Sequence, residues 1–176
     1  MLAVVCDASP LVYLSNLDQF DLLRRLYEAV LIPPAVWQEV GIGGEGRLES
    51  ENLKLAISSG WIKVEPPKDV AQSIAAFPKD MGRGEREAII LAHEKRAVLV
   101  TDDALGRAAG EALGLEVTGT IGVLIRAKRH SHLASVRPFL DRLKGETNFR
   151  MSQAVYGEAL RLAEETLPPE PPGKET

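Results

Sequence analysis

Ala3-Val4-Val5-Cys6-Asp7-Ala8-Ser9-Pro10-Leu11 sets the reading of the whole chain. Four apolar residues with two adjacent valines form a short run suited to a buried strand, and Asp7 ends it. Ser9-Pro10 then reads as a helix N-cap followed by proline at the first helical position, where the missing N–H costs nothing. A strand that passes through an acid into a helix is the opening of a parallel α/β unit. Working outward, Ala29–Ile32, Trp61–Val64, Val98–Val100 and Leu115–Val117 repeat the buried-strand pattern. Pro33-Pro34 and Pro66-Pro67 close the first two. Helices are expected between them, over about 10–17, 18–27 with Asp18 as cap, 34–40, 48–59, 69–76, 83–96 and 104–113. Gly114 stands where a left-handed cap belongs. Thr120 begins a helix to about Arg129, and two more cover about 133–144 and 152–165. This alternation predicts an α/β fold of three layers, a mainly parallel central sheet flanked by helices, plus C-terminal helices. One domain over residues 1–166 is expected, with a core at about 3–129 and a helical extension at about 130–166. Four prolines in the last ten residues make 167–176 a disordered tail.

The chain has 176 residues, 45% apolar and 26% charged, so it can bury a sizeable core without a disulfide framework or a structural metal. A lone cysteine, Cys6, excludes intramolecular disulfides and Cys-based zinc sites. No apolar run reaches the roughly 20 residues of a membrane span. The first residues lack a basic segment and a cleavage site, which leads us to expect a cytoplasmic protein with no membrane partner. Net charge is −4, yet residues 126–150 hold seven basic side chains against two acidic ones. An acidic total argues against indiscriminate coating of nucleic acid, but leaves room for a basic rim beside an acidic pocket.

Function in an open parallel sheet gathers beyond the carboxyl ends of its strands. Two strands run straight into acids there, at Asp7 and at Thr101-Asp102-Asp103. Glu39 falls on a short helix and Glu85 opens the helix over 83–96. Each alone has a plain explanation. Asp7 could be a turn former, Asp102 or Asp103 an N-cap, Glu85 a partner of the helix dipole and Glu39 a solvated acid. Together at one sheet edge they would repel one another unless a cation neutralised them. Oxygen ligands without His or Cys select Mg²⁺ or Mn²⁺, and such sites suit phosphodiester hydrolysis.

These motifs resemble the PIN domains, metal-dependent ribonucleases best known as VapC-type toxins. The resemblance rests on Val4-Val5-Cys6-Asp7-Ala8-Ser9-Pro10-Leu11 and Ile32-Pro33-Pro34-Ala35-Val36-Trp37-Gln38-Glu39-Val40. It continues in Gly84-Glu85-Arg86-Glu87-Ala88-Ile89 and Leu99-Val100-Thr101-Asp102-Asp103. A branch with an Asp-Ala-Ser-Pro opening and a later Gly-Thr-x-Gly, here Gly119-Thr120-Ile121-Gly122, is closest. The resemblance implies that Asp7, Glu39, Glu85 and Asp102 are catalytic and hold Mg²⁺ or Mn²⁺. Asp103 would be a further ligand or a group supporting the ligands, with Ser9 and Thr101 supporting the carboxylates. It also implies a single-stranded RNA substrate, a small antitoxin partner and a homodimer. Glu85 stands where many members have Asp, and the helices after residue 130 exceed the usual chain.

Arg126, Lys128 and Arg129 are candidates for binding RNA phosphates near the acids. Arg83 and Arg86 read instead as salt-bridge partners. His130 and His132 are two residues apart with no acid or Cys ligand nearby, and the glycines at 41, 43, 44 and 46 lack the Lys-Ser/Thr pair of a phosphate loop. Two other readings stay open: a catalytically weak PIN-fold module that binds RNA or a partner, and a structure-specific DNA nuclease.

Overall fold

A computed structural model describes residues 3–68 and 77–166. The helix expected over 69–76 and the tail over 167–176 lie outside the described residues. Five strands, β1 (Ala3–Cys6), β2 (Ala29–Ile32), β3 (Ile62–Val64), β4 (Val98–Val100) and β5 (Val117–Thr118), form one sheet in the order β3-β2-β1-β4-β5. Every pairing is parallel, with Val4 beside Val30 on one side and Val98 on the other. The chain winds from β1 outward through β2 to β3, then returns to the far side of β1 for β4 and β5. The winding therefore reverses between β1 and β4, the position where open α/β sheets place their sites.

Alternation along the strands assigns the two cores. Val4, Cys6, Val30, Ile32, Val98 and Val100 face one helical layer. That layer is formed chiefly by α1 (Ala8–Asn16), α2 (Leu22–Leu26), α4 (Leu48–Ser58), α7 (Thr120–Arg129), α8 (Arg137–Glu146) and α9 (Gln153–Leu162). Val5, Leu31 and Leu99 face the other side, against Ala88, Ile89, Leu91 and Ala92 of α5 (Arg83–Lys95) and Ala109 of α6 (Ala104–Ala112). The α/β architecture expected from the strand–helix alternation is the one observed. Gly114 adopts the left-handed conformation at φ 75°, as its place after α6 requires.

Four local expectations are corrected. The N-cap of α1 is Asp7, not Ser9: Ala8 N–H donates to Asp7 Oδ1 at 2.8 Å, and Ser9 is the second residue of the helix. Pro10 still loses nothing there, because the first four N–H groups of a helix have no intrahelical acceptor. Asp18 ends α1 rather than starting α2. It takes φ 57°, and Gln19 N–H donates to Leu14 O at 2.8 Å, closing the helix in a Schellman turn. The helix expected over 34–40 does not stop before the glycines. It begins as α3 (Pro34–Val36) and widens into a π-helical stretch over Trp37–Ile42, with Gly43 N–H donating to Gln38 O at 2.8 Å. Gly41 permits this, since a Cβ there would lie 2.1 Å from the Trp37 ring. The last strand starts two residues later than expected and ends one later, because Leu115 and Glu116 are used in closing α6 and reaching β4.

Candidate active site

Asp7 is the buried centre of the acidic edge, with 4% of its surface exposed. Its own N–H completes the sheet by donating to Val100 O at 2.9 Å, which pins the residue where the winding reverses. Oδ1 accepts from Ala8 N–H, and Oδ2 accepts from the Thr101 hydroxyl at 3.1 Å. Burial pushes the Asp7 carboxyl up to about 6; the Ala8 and Thr101 hydrogen bonds oppose this, while Glu39 and Asp103 add to it.

Glu39 and Glu85 reach the same place from separate elements. Glu39 stands on the π-helical turn after β2, the kind of irregularity that re-aims a side chain. A Cβ on Gly84 would lie 3.4 Å from Glu39 Oε2 and 3.8 Å from Asp7 Oδ1, so both carboxylates converge over one backbone point. Glu85 follows directly, in the first turn of α5, and its Oε2 accepts from Gly82 N–H at 3.3 Å. Burial raises the Glu85 carboxyl above its ordinary value, and the negative charges of Asp103, Asp7 and Glu39 raise it further.

Asp102 and Asp103 divide their work. Asp103 caps α6, its Oδ1 accepting from Gly106 N–H at 2.8 Å, and its N–H donates to Thr101 Oγ1 at 3.2 Å. Its charge is the one felt by Asp7 and Glu85. Asp102 turns toward the start of α7, where Thr120 N–H donates to Oδ1 at 2.8 Å and the Thr120 hydroxyl to Oδ2 at 2.6 Å. Burial raises the Asp102 carboxyl, against the Thr120 bonds and the nearby Arg107 cation.

The structure thus gathers Asp7, Glu39, Glu85 and Asp103 into one electrostatic neighbourhood, with Asp102 beside it and Thr101 bonded into its centre. Ser9 is not brought in: its hydroxyl has no hydrogen-bond partner among the described residues. Arg83 pairs with buried Glu87 at 2.7 Å, whose other oxygen accepts from Ala35 N–H at 3.1 Å. That bridge fixes the start of α3 to α5 and so sets Glu39 relative to Glu85. Arg126, Lys128 and Arg129 occupy the last turn of α7, while Thr120 at its first turn holds Asp102. They stand about 10–15 Å down the helix from the acidic edge. Lys128 pairs with Glu165 at 2.8 Å, and Arg129 donates to Leu162 O at 2.9 Å.

Thr120 and Arg107 are members of the site that residue spacing alone did not single out. The available signal was Gly119-Thr120-Ile121-Gly122 itself. A Cβ on Gly119 would lie 2.6 Å from Asp102 Oδ1, and one on Gly122 would lie 2.0 Å from Thr118 Oγ1. Both glycines let the helix start press against the ends of β4 and β5.

The donor set is chemically suited to a hard divalent cation: carboxylate oxygens with no thiolate or imidazole among them. Among the described residues, however, no three Asp, Glu, His or Cys side chains are drawn together as a ready-made metal cage. The acids are neighbours rather than a closed coordination sphere. No helix among the described residues is long and apolar enough to cross a membrane.

The family model described as DUF3368, a PIN domain, matches residues 3–165. No curated protein matches the chain. Among solved structures, the chain is similar to VapBC2 from Rickettsia felis bound to a DNA fragment from its promoter, at 15% identity and a TM-score of 0.49, covering 67% of this chain and 98% of the other. It is also similar to a domain of a functionally unknown protein from Methanocaldococcus jannaschii, at 19% identity and a TM-score of 0.46, covering 68% and 91%. A PilT N-terminus domain protein from Sulfolobus solfataricus is similar at 17% identity and a TM-score of 0.35, covering 77% and 96%. PIN domains are generally nucleases and typically bind a divalent metal. Because the family match runs from the first strand to the residue that closes the last helix, the chain belongs to the PIN-domain family.

Proposed function

We propose that the protein is a Mg²⁺- or Mn²⁺-dependent endoribonuclease that hydrolyses single-stranded RNA, and the toxin of a toxin–antitoxin pair. The observation that carries this reading is the meeting of Asp7 and Glu39 over Gly84, with Asp103 close enough to raise the proton affinity of both Asp7 and Glu85. Four carboxylates at one partly dry edge cost free energy that folding alone does not require. A bound dication offsets that cost. Asp7, Glu39, Glu85 and Asp102 would hold it, with Asp103 as a further ligand, and it would supply activation of water and charge neutralisation at the scissile phosphate. Thr101 keeps Asp7 oriented by hydrogen bond, and Thr120 does the same for Asp102. A cytoplasmic location, a small antitoxin that covers the acidic edge and a homodimer belong to the same reading.

The test is cleavage of a mixed-sequence single-stranded RNA and its DNA counterpart by purified protein with Mg²⁺ or Mn²⁺. EDTA and Asp7→Asn serve as controls. RNA cleavage lost under both controls supports the reading. Cleavage of the DNA alone replaces it with a DNA nuclease. The open arrangement of the acids favours one other reading, a binding module of PIN fold. Absence of both Mn²⁺ binding and cleavage in folded protein would establish that module instead.

A further inference from the structure

Two of the three basic residues that the sequence offers for phosphate binding line a cavity far from the acids. It has a volume of about 410 Å³ and is bordered by Tyr27, Glu116, Thr118, Arg126, Arg129 and His130, among others. Tyr27 precedes β2, Glu116 precedes β5, and Arg126 to His130 end α7, so the cavity opens at the amino ends of the strands. Asp7 and Asp102 lie at the carboxyl ends, on the opposite edge of the sheet. The size is that of a site for a small organic ligand rather than an ion alone.

The chemistry of the wall is specific. Arg126 lays its guanidinium over the Tyr27 ring, 5.5 Å from the centroid, which holds the group flat at the cavity. Its Nε is shut off from solvent and has no hydrogen-bond acceptor among the described residues. Arg129 and His130 add positive charge or donors, and among the described residues Glu116 is the one acid on the wall. Arginine presents a planar fork of donors that matches the oxygens of a phosphate.

We infer that this cavity binds a phosphate monoester of mononucleotide size, its phosphate on Arg126 and Arg129 and the remainder against Tyr27. The inference does not rest on the nuclease reading, since no acid of that edge takes part. The same chemistry is offered by a free mononucleotide and by the terminal phosphate of an oligonucleotide.

Calorimetric titration of the full chain in EDTA tests it, with adenosine and uridine 5′-monophosphates, the two nucleosides, and a dinucleotide with and without a 5′-phosphate. The monophosphates are expected to bind at least tenfold more tightly than the nucleosides. Arg126→Gln and Arg129→Gln should each weaken binding at least tenfold, Glu116→Gln should strengthen it several-fold, and Asp7→Asn should leave it unchanged. Arg129 is exposed, so its variant keeps the test intact if Arg126→Gln fails to fold. Binding of the 5′-phosphorylated dinucleotide at the same strength identifies a nucleic-acid terminus as the source, and binding of the monophosphates alone identifies a free nucleotide. The inference is overturned if the monophosphates do not bind, if the nucleosides bind equally well, if both arginine variants bind like wild type, or if Asp7→Asn abolishes binding.

Discussion

Thr120 satisfies both oxygens of Asp102 and is the residue whose loss separates orientation from charge. Thr120→Val keeps the backbone N–H bond and the side-chain shape but removes the hydroxyl donor. Groups that orient a metal ligand typically cost ten- to a hundredfold in affinity or activity when removed. We expect a loss of that order in RNA cleavage, with Thr120→Ser restoring most of it. A wild-type rate in Thr120→Val would show that Asp102 needs no such hold. Asp7 makes the opposite case. Its ionised form is buried beside Glu39 and Asp103, so Asp7→Asn removes a charge that is costly in metal-free protein. In EDTA at pH 7 the variant should melt at a higher temperature than wild type; a lower melting temperature would contradict the burial argument.

The element scale is where the chain spends glycine and buried polar groups on geometry. The π-helical turn after α3 depends on Gly41, over which the Trp37 ring lies. Gly41→Ala must displace that ring, and overpacking of this kind costs about 1–3 kcal/mol. A matched shift in urea midpoint is the measurement, together with a change in Trp fluorescence. At the other end of the molecule, Glu165 accepts from Lys128 at 2.8 Å, Ser135 Oγ at 2.8 Å, Val136 N–H at 2.6 Å and Arg137 N–H at 3.2 Å. Burial alone would raise its carboxyl, but these donors bring it down to about 2. A folded-state value below the unfolded one means the ionised form is favoured by folding. Its contribution is therefore present above about pH 4.5 and lost as the pH falls toward 2. Glu165→Gln should lower stability at pH 7 by about 1–3 kcal/mol and flatten the acid limb of the stability curve. An unchanged limb would assign acid sensitivity elsewhere.

At the scale of the whole molecule, α8 and α9 are continuous with the main core. Val136, Leu140, Leu143, Tyr156, Leu160 and Ala163 belong to the same buried cluster as Val4, Cys6 and Val100. Tyr13 of α1 ties them further, with its ring 4.9 Å from Phe149 and its hydroxyl donating to Asn148 Oδ1 at 3.0 Å. A chain cut at residue 136 would expose this apolar surface, so we expect it to be insoluble or unfolded. The full chain should unfold in one transition, with fluorescence and circular dichroism coincident. Two separated transitions, or a soluble folded fragment ending at 136, would show the C-terminal helices to be an independent layer.

The order of strands and helices was legible in the chain itself, because buried parallel strands are written as short apolar runs and their ends as acids, prolines and glycines. The resemblance to a family nominated Asp7, Glu39, Glu85, Asp102 and Asp103, of which Asp7, Asp102 and Asp103 follow strands, Glu85 opens a helix and Glu39 stands on the π-helical turn after α3. What local pattern could not settle was which of two neighbouring groups takes a shared position. Asp7 outcompetes Ser9 as the cap because its backbone is already held against Val100, a contact 93 residues away in sequence. Asp103 caps α6 and Asp102 turns to Thr120 because β5 brings Gly119 up to Asp102, and only a glycine fits that gap. Arg126 and Arg129 are candidates for a basic rim by charge alone, yet a helix running back along the sheet carries them to the cavity at its other edge. Periodicity and turn chemistry are properties of neighbours along the chain, and they determined the elements of this protein. Pairings across the sheet are properties of neighbours in space, and they alone decided which oxygens face one another and which cations stand apart.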